Sequence, residues 1–174
     1  METPDSETKS NDPLLPQAKT LVDTARAAAI RTYKPMVDQF PSVLVGFAAV
    51  QGETKWELIV TTASVYIASA RLRNLELGDS REQLLMTEVS AQLEAWDSVN
   101  ALPCFENCKT FFGPTFEQLT ANGNEPRFIS SDTLGLWIAW NILGRAPKSE
   151  DEGRFVRTIG VAITHGFFNW WGKE

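Results

Sequence analysis

Apolar residues recur at helical spacing through much of the chain. In residues 17–34 they fall at positions i, i+3, i+4, i+7 and i+11, while the charged residues lie on other faces. This spacing predicts an amphipathic helix. Pro35 is expected to end it, because proline disfavours helical geometry at the residue before it.

Two apolar stripes predict that residues 55–77 form a central helix. One stripe runs from Trp56 to Ala70, and a second, spaced by sevens, comprises Leu58, Val65 and Leu72 on the opposite side. A helix that is apolar on two faces must be covered on both, so we expect this segment to lie at the centre of the fold. The capping-box pattern of Thr54 and Glu57 predicts where the helix begins, and Gly78 is expected to end it.

The segment 81–99 has one apolar face and follows a second capping-box match, Ser80 and Gln83. Its short connection to 55–77 predicts an antiparallel helical hairpin. Residues 100–130 contain Pro103, the Gly113–Pro114 pair and the sequence NGNEP. These interruptions predict one or two short helices there.

Two further helices are predicted towards the end of the chain. The sequence LGLWIAWNIL, within 131–143, is apolar all round and predicts a buried helix that is capped by Ser130 or Ser131 and ended by Gly144 and Pro147. Ser149 precedes three acidic residues, a pattern typical of a helix start, and predicts a last helix over about 150–171.

The sequence SVLVGFAAVQ, residues 42–51, is apolar without a clear period and is compatible with a helix or a strand. The predicted fold is all-α: a single-domain orthogonal or bundle-like array of five to seven helices around 55–77. An α+β fold with a hairpin near 43–61 is the alternative. Residues 1–13 are polar and are predicted to be a disordered acidic tail before a single helical domain, 14–174.

Charge and hydropathy exclude several classes of function. The formal net charge is -6 and the sequence pI is about 4.9, which argues against binding to nucleic acid. No stretch of 18 apolar residues occurs, and the first residues resemble neither a secretory signal nor a transit peptide. We therefore expect a cytoplasmic protein with no membrane partner.

Motifs for catalysis and metal binding are missing from the sequence. His165 is the single histidine, and the sequence contains no HExxH, G-x-S-x-G or phosphate-loop motif. No catalytic residue, metal or cofactor is assigned. Cys104 and Cys108 share a helix face at about 5–6 Å between Cβ atoms, beyond the roughly 3.5–4.5 Å of a disulfide. They are interpreted as small buried hydrophobic residues, with a redox role for Cys104 as the alternative.

The sequence around His165, THGFFNWWGKE, combines a core-facing stripe with a second strip. The stripe predicted to face the core comprises Phe155, Ile159, Ala162, Ile163, Gly166, Phe167 and Trp170, extended by Val156, Gly160 and Trp171. Val161 and Phe168 project to the far side of the helix, close to His165.

Two hypotheses of function follow. The first is a non-catalytic protein that acts through protein–protein interaction, with a homodimer as one form of it, and presents Val161, Phe168 and Trp171 to its partner. The alternative is a protein that binds a small molecule, or a small helical enzyme. Its inter-helix pocket would lie near four residues: Trp137, Trp140, Asn141 and His165.

Overall fold

Seven α-helices make up the part of the chain that the computed structural model describes, residues 11–50 and 52–172, and no β-strand occurs in it. The helices are α1 (Leu15–Gln39), α2 (Pro41–Val50), α3 (Gly52–Leu72), α4 (Asp79–Trp96), α5 (Ala101–Ala121), α6 (Pro126–Leu143) and α7 (Glu150–Phe167). The predicted all-α fold is confirmed. The alternative hairpin near 43–61 is wrong, because residues 43–50 lie in α2 and residues 52–61 in α3.

The predicted central helix is α3, which is buried on both of its apolar faces between α1, α5, α6 and α7. The Trp56 indole Nε1 donates to the Ala29 carbonyl at 3.0 Å, and the Trp56 ring also lies against Phe155 of α7. The predicted boundaries were wrong at both ends. The helix starts at Gly52, which places Thr54 inside it, and it ends at Leu72, before a 3₁₀ turn and a left-handed Glu76.

The predicted hairpin of α3 and α4 is wrong, because α4 packs mainly on α1. Leu85, Val89 and Leu93 are buried, as the apolar face of this segment predicted. Gly78 precedes α4 with a φ of 85° and no side chain caps the helix, so the Ser80–Gln83 capping box does not form. The six-residue connection 73–78 redirects the chain away from α3, and α4 is left to cover a different helix.

Helices α6 and α7 lie antiparallel and approach most closely at two glycines. A methyl group at Gly160 would clash with the Ser131 carbonyl, and one at Gly135 would clash with the Val156 carbonyl. The same contact contains a bidentate ion pair between Asp132 and Arg157, in which Nη2 donates to Oδ2 at 2.7 Å. This contact requires residues without a side chain at both crossing points.

Prolines interrupt the helices less than predicted. Pro35 lies inside α1 and Pro114 inside α5, and both are exposed, so the carbonyl that each leaves without an N–H donor faces the solvent side. Pro103 lies in the first turn of α5, where its N–H would have no helical partner. Residues 101–121 therefore form one long helix instead of one or two short ones.

The ends of α6 and α7 follow the predictions in part. α6 begins at Pro126 after Glu125, not at Ser130 or Ser131, and ends before a left-handed Gly144 as expected. The Ser149 cap of α7 is confirmed, since its hydroxyl and the Glu152 carboxylate complete a capping box. α7 ends at Phe167, about four residues earlier than predicted.

The start of the described chain is attached to the helices. Of the predicted tail 1–13, residues 1–10 lie outside the described residues. The Asp12 carboxylate accepts hydrogen bonds from Arg81 of α4, with the shortest at 2.7 Å, and from the Leu14 backbone N–H. The Arg81 guanidinium holds the pKa of Asp12 below its usual value. Asp12 therefore belongs to the folded domain.

Candidate functional site

The structure does not bring together the four residues of the predicted inter-helix pocket. Because Ser131 of α6 lies opposite Gly160 of α7, His165 lies towards the start of α6, whereas Trp140 and Asn141 lie near its end. At about 1.5 Å per residue, His165 and Trp140 are some 20 Å apart along the helix axes. The pocket predicted from these residues is therefore not formed.

Three of these four residues lie on α6, and none of them lines a common pocket with His165. Trp137 is buried, and its indole Nε1 donates to Asn107 Oδ1 at 2.9 Å. The half-buried Asn141 donates from Nδ2 to the Trp137 carbonyl at 2.9 Å. Trp140 is 48% exposed and lies beside Phe111. Both polar groups are satisfied within the protein, and only the Trp140 ring offers a large accessible surface.

The strip predicted on α7 is smaller in the structure than in the sequence. Val161 and His165 are exposed. Phe168 is half-buried beneath the Arg71 guanidinium, which lies 5.0 Å from the ring centroid. Trp171 is buried and donates from Nε1 to the Ala68 carbonyl of α3 at 2.8 Å. Trp171 is therefore part of the core, and the prediction that it contacts a partner is wrong.

The buried face of α7 is narrower than the predicted core-facing stripe. Phe155, Ile159 and Ile163 are buried as predicted, whereas Ala162 and Gly166 are exposed. The stripe ends in Phe167. Beyond it the chain turns back over the start of α1, where the Trp170 indole donates to the Gln17 carbonyl at 3.0 Å. The aromatic cluster at this end of the chain thus joins α7 to α1 and α3.

Cys104 and Cys108 are free thiols on the buried side of α5. Cys104 lies in the first turn of the helix as expected, but burial is the largest influence on its thiol and raises its pKa. Burial raises the pKa of Cys108 well above its usual value. Both side chains are protonated at neutral pH, which favours their interpretation as buried hydrophobic residues.

Two further features of the described residues bear on function. No cluster of three or more His, Cys, Asp or Glu side chains within 11–50 and 52–172 is arranged to hold a metal ion. Over the same residues, no helix combines the length and the apolar character needed to cross a membrane.

Among the helices of the described residues, α2 carries the two most exposed large apolar side chains. Its inner side buries Val43, Leu44 and Phe47 in the core. Val45, on its outer side, is 66% exposed, and Val50, the last residue of the helix, is 83% exposed although it comes seven residues after the buried Val43. We call the exposed residues on the outer side and at the end of this helix the α2 surface: Val45, Gly46, Ala49 and Val50.

The α2 surface carries no charge, since residues 41–50 include no acidic or basic side chain. At the beginning of the helix, the Ser42 hydroxyl donates to Asp151 Oδ2 of α7 at 2.9 Å. The apolar pattern of residues 42–51 has no clear period and therefore does not by itself indicate which side of the helix is outermost. If the segment is taken as a helix, its spacing does predict an outer side. Val45 and Ala49, four residues apart, then lie opposite Leu44 and Phe47.

Comparisons of the chain with protein-family models, with curated proteins and with solved structures find no match.

Proposed function

We propose that the protein acts by associating with another protein chain through the α2 surface, and that this chain is a second copy of itself. The supporting observation is that Val50 and Val45 are 83% and 66% exposed on a helix without a charged residue. The proposal keeps the expectation of a non-catalytic, cytoplasmic protein, and it moves the expected contact from α7 to α2.

Burial of the two valines supplies the driving force. A valine side chain that passes from full exposure to full burial favours association by about 1.5–3 kcal/mol. A two-fold axis across α2 would bring the same residues of both chains into the contact, so both copies of Val45 and of Val50 would be buried. Gly46 and Ala49 are small and let the two helices approach to roughly the 8–10 Å of ordinary helix packing.

The charge distribution favours this face for contact between two identical chains. Each chain carries a net charge of -6, so two copies repel each other at long range. A contact centred on an uncharged helix keeps like charges away from the interface. Since salt screens repulsion over about 8 Å at physiological ionic strength, added salt should strengthen self-association. A basic partner held by charge would respond in the opposite direction.

The interface needs more area than α2 alone offers. A stable interface buries about 800 Å² on each partner, whereas a ten-residue helix is about 15 Å long. Ile30 of α1 is 54% exposed and lies one turn before Tyr33, whose hydroxyl is 3.9 Å from the Cβ position of Gly52. Ile30 is therefore close to the end of α2 and extends the apolar contact onto α1.

Light scattering of the protein as it leaves a sizing column, over a range of concentrations, tests the proposal. The wild type is expected to approach twice its mass of 19.4 kDa, and more salt should favour the dimer. The double variant Val45→Lys/Val50→Lys should remain monomeric, with an unchanged circular dichroism spectrum. Val99→Lys is the matched control, because Val99 is 73% exposed outside the α2 surface, and this variant should still dimerise.

Two outcomes would overturn the proposal. In the first, the wild type stays monomeric at every concentration, which would leave α2 to a different partner or to none. In the second, Val99→Lys dissociates the dimer as strongly as the double variant does, which would place the contact elsewhere.

A further inference from the structure

Helices α3, α4 and α5 line a half-open pocket of about 180 Å³, away from the α2 surface. It exists because α3 and α4 do not pack against each other. Ala70, Met86 and Phe105 give it apolar walls. A cavity of about 150 Å³ is large enough for benzene, so this pocket suits a molecule with a single ring or a short branched chain.

One buried hydroxyl in this pocket has no partner. Ser69 is only 6% exposed, and its Oγ forms no hydrogen bond. Ser64, on the same helix, donates to the Val60 carbonyl one turn back at 2.8 Å. The helix thus offers its serine hydroxyls a local acceptor, and Ser69 does not use the equivalent one. A buried polar group without a partner is destabilising, and a ligand that bonds to Ser69 would remove this cost.

Tyr66 contributes a second polar group at the pocket wall. Its ring is held against Phe105 and Phe112, with centroids 5.9 Å and 5.0 Å away. Burial raises the pKa of Tyr66 to about 12. The phenol is therefore neutral at physiological pH and keeps its hydrogen-bond donor.

The charged residues at the pocket are Arg73, Glu82 and Lys109. Arg73 Nε lies 3.6 Å from Glu82 Oε1, which is too long for a strong hydrogen bond, and the Arg73 side chain is 75% exposed. Lys109 lies on α5, at the surface. Two cations and one anion give a local positive charge in a chain whose net charge is -6.

We propose that this pocket binds a small organic carboxylate. Its apolar body, a single aromatic ring or a branched aliphatic group, lies against Met86 and Phe105. Its carboxylate accepts hydrogen bonds from Arg73, since the arginine guanidinium matches a carboxylate geometrically. It also accepts one from the Ser69 hydroxyl, once that side chain turns from its buried position towards the pocket. This site is separate from the α2 surface, and the proposal does not depend on the self-association proposed above.

Titration calorimetry with benzoate, and with cyclohexanecarboxylate as the aliphatic probe, tests the assignment on the full-length protein. For a ligand of this size we expect a dissociation constant of about 1 mM or tighter. Benzamide, which is neutral and of the same shape, should bind about tenfold more weakly because it cannot pair with Arg73. Inorganic phosphate should bind more weakly than benzoate, since it has no apolar body.

Variants locate the binding. Arg73→Gln, an exposed substitution, should weaken benzoate binding about tenfold, and Ser69→Ala should weaken it by a smaller factor. Ala70→Leu should fill the pocket and abolish binding while Arg73 and Ser69 remain. Arg31→Gln, which changes an exposed arginine of α1, is the control and should bind as the wild type does.

The proposal is overturned if neither carboxylate binds at concentrations about tenfold above the expected constant. It is equally overturned if benzamide binds as tightly as benzoate, or if Arg31→Gln weakens binding as much as Arg73→Gln does. Either of the last two results would indicate nonspecific binding at the surface. None of these results depends on whether the protein dimerises.

Discussion

The pairs α6–α7 and α3–α4 are both consecutive helices with short connections, but only α6 and α7 pack closely against each other. α6 and α7 meet backbone to backbone at Gly135 and Gly160. α3 and α4 diverge, and the long side chains of Arg73 and Met86 line the pocket between them. A short connection therefore does not by itself produce a packed hairpin. The residues at the crossing point decide how closely two helices approach.

The largest effect is expected at the close contact. Gly160→Ala should lower the free energy of unfolding by about 2–3 kcal/mol, because the new methyl group meets the Ser131 carbonyl and the backbone must move. Chemical denaturation measures this. Gly153→Ala is the control on the same helix, where nothing lies within 4 Å of the added Cβ, and it should stabilise the protein by about 0.5–1 kcal/mol. A neutral Gly160→Ala would show that the two helices can separate without cost.

A smaller loss is expected from the ion pair beside these glycines. Asp132→Asn should cost about 1–2 kcal/mol, because Asp132 is buried while its partner Arg157 is half exposed. Asp38→Asn is the control: Asp38 pairs with Lys34 on the exposed side of α1, and its loss should change stability by less than about 0.5 kcal/mol. If both substitutions cost the same in thermal unfolding, the Asp132 pair adds nothing to the α6–α7 contact.

The starts of α7 and α4 differ as their packing does, since Ser149 and Glu152 cap α7 and no side chain caps α4. The bond from Arg145 and two backbone N–H groups lower the pKa of Glu152 from 4.5 to about 2. A lowered pKa stabilises the fold above pH 4.5, and this stability is lost as the pH falls towards 2.

The melting temperature of Glu152→Gln should therefore lie below that of the wild type at pH 7, and the two should converge near pH 2. Glu53→Gln, in the first turn of α3, is the control and should differ little from the wild type at either pH. If the difference in melting temperature between Glu152→Gln and the wild type stayed constant with pH, the negative charge of Glu152 would not be what stabilises the start of α7.

The smallest effect is expected in the open region. Ser69→Ala removes a buried hydroxyl that has no partner, so stability should change by less than about 0.5 kcal/mol or increase slightly. Ser64→Ala removes a bonded hydroxyl on the same helix and should cost about 1 kcal/mol. Equal losses in denaturation would mean that Ser69 is bonded in solution and that the pocket is not an unsatisfied site.

The periodicity of apolar residues was sufficient to predict the helices but less reliable for their ends. The central position of 55–77 was correct because two apolar stripes on one helix require cover on both sides. Pro35 and Pro114 were expected to stop helices, and both lie within them. The bond that each proline removes is on the exposed side, and burial of neighbours such as Met36 keeps the helix continuous.

The candidate sites were harder to predict than the helices. His165 and Trp140 are on adjacent helices, but the antiparallel register separates them. Trp171 is of a residue type that is common in protein interfaces, but it is buried against α3. Val45 and Val50 lie in a segment recognised only as apolar. The exposure of Val45 depends on which side of α2 the core occupies, and that of Val50 on its place at the end of the helix.

The sequence by itself determined the all-α class, the position of the central helix, the capping of α7 and the absence of familiar catalytic motifs. Tertiary structure alone decided which helices are partners, how closely α6 and α7 approach, and which apolar side chains remain outside. The physical reason is that periodicity shows which face of a helix must be buried but not which surface buries it. That choice depends on side-chain size at the crossing points and on the direction of the connections, and both act only once distant segments meet.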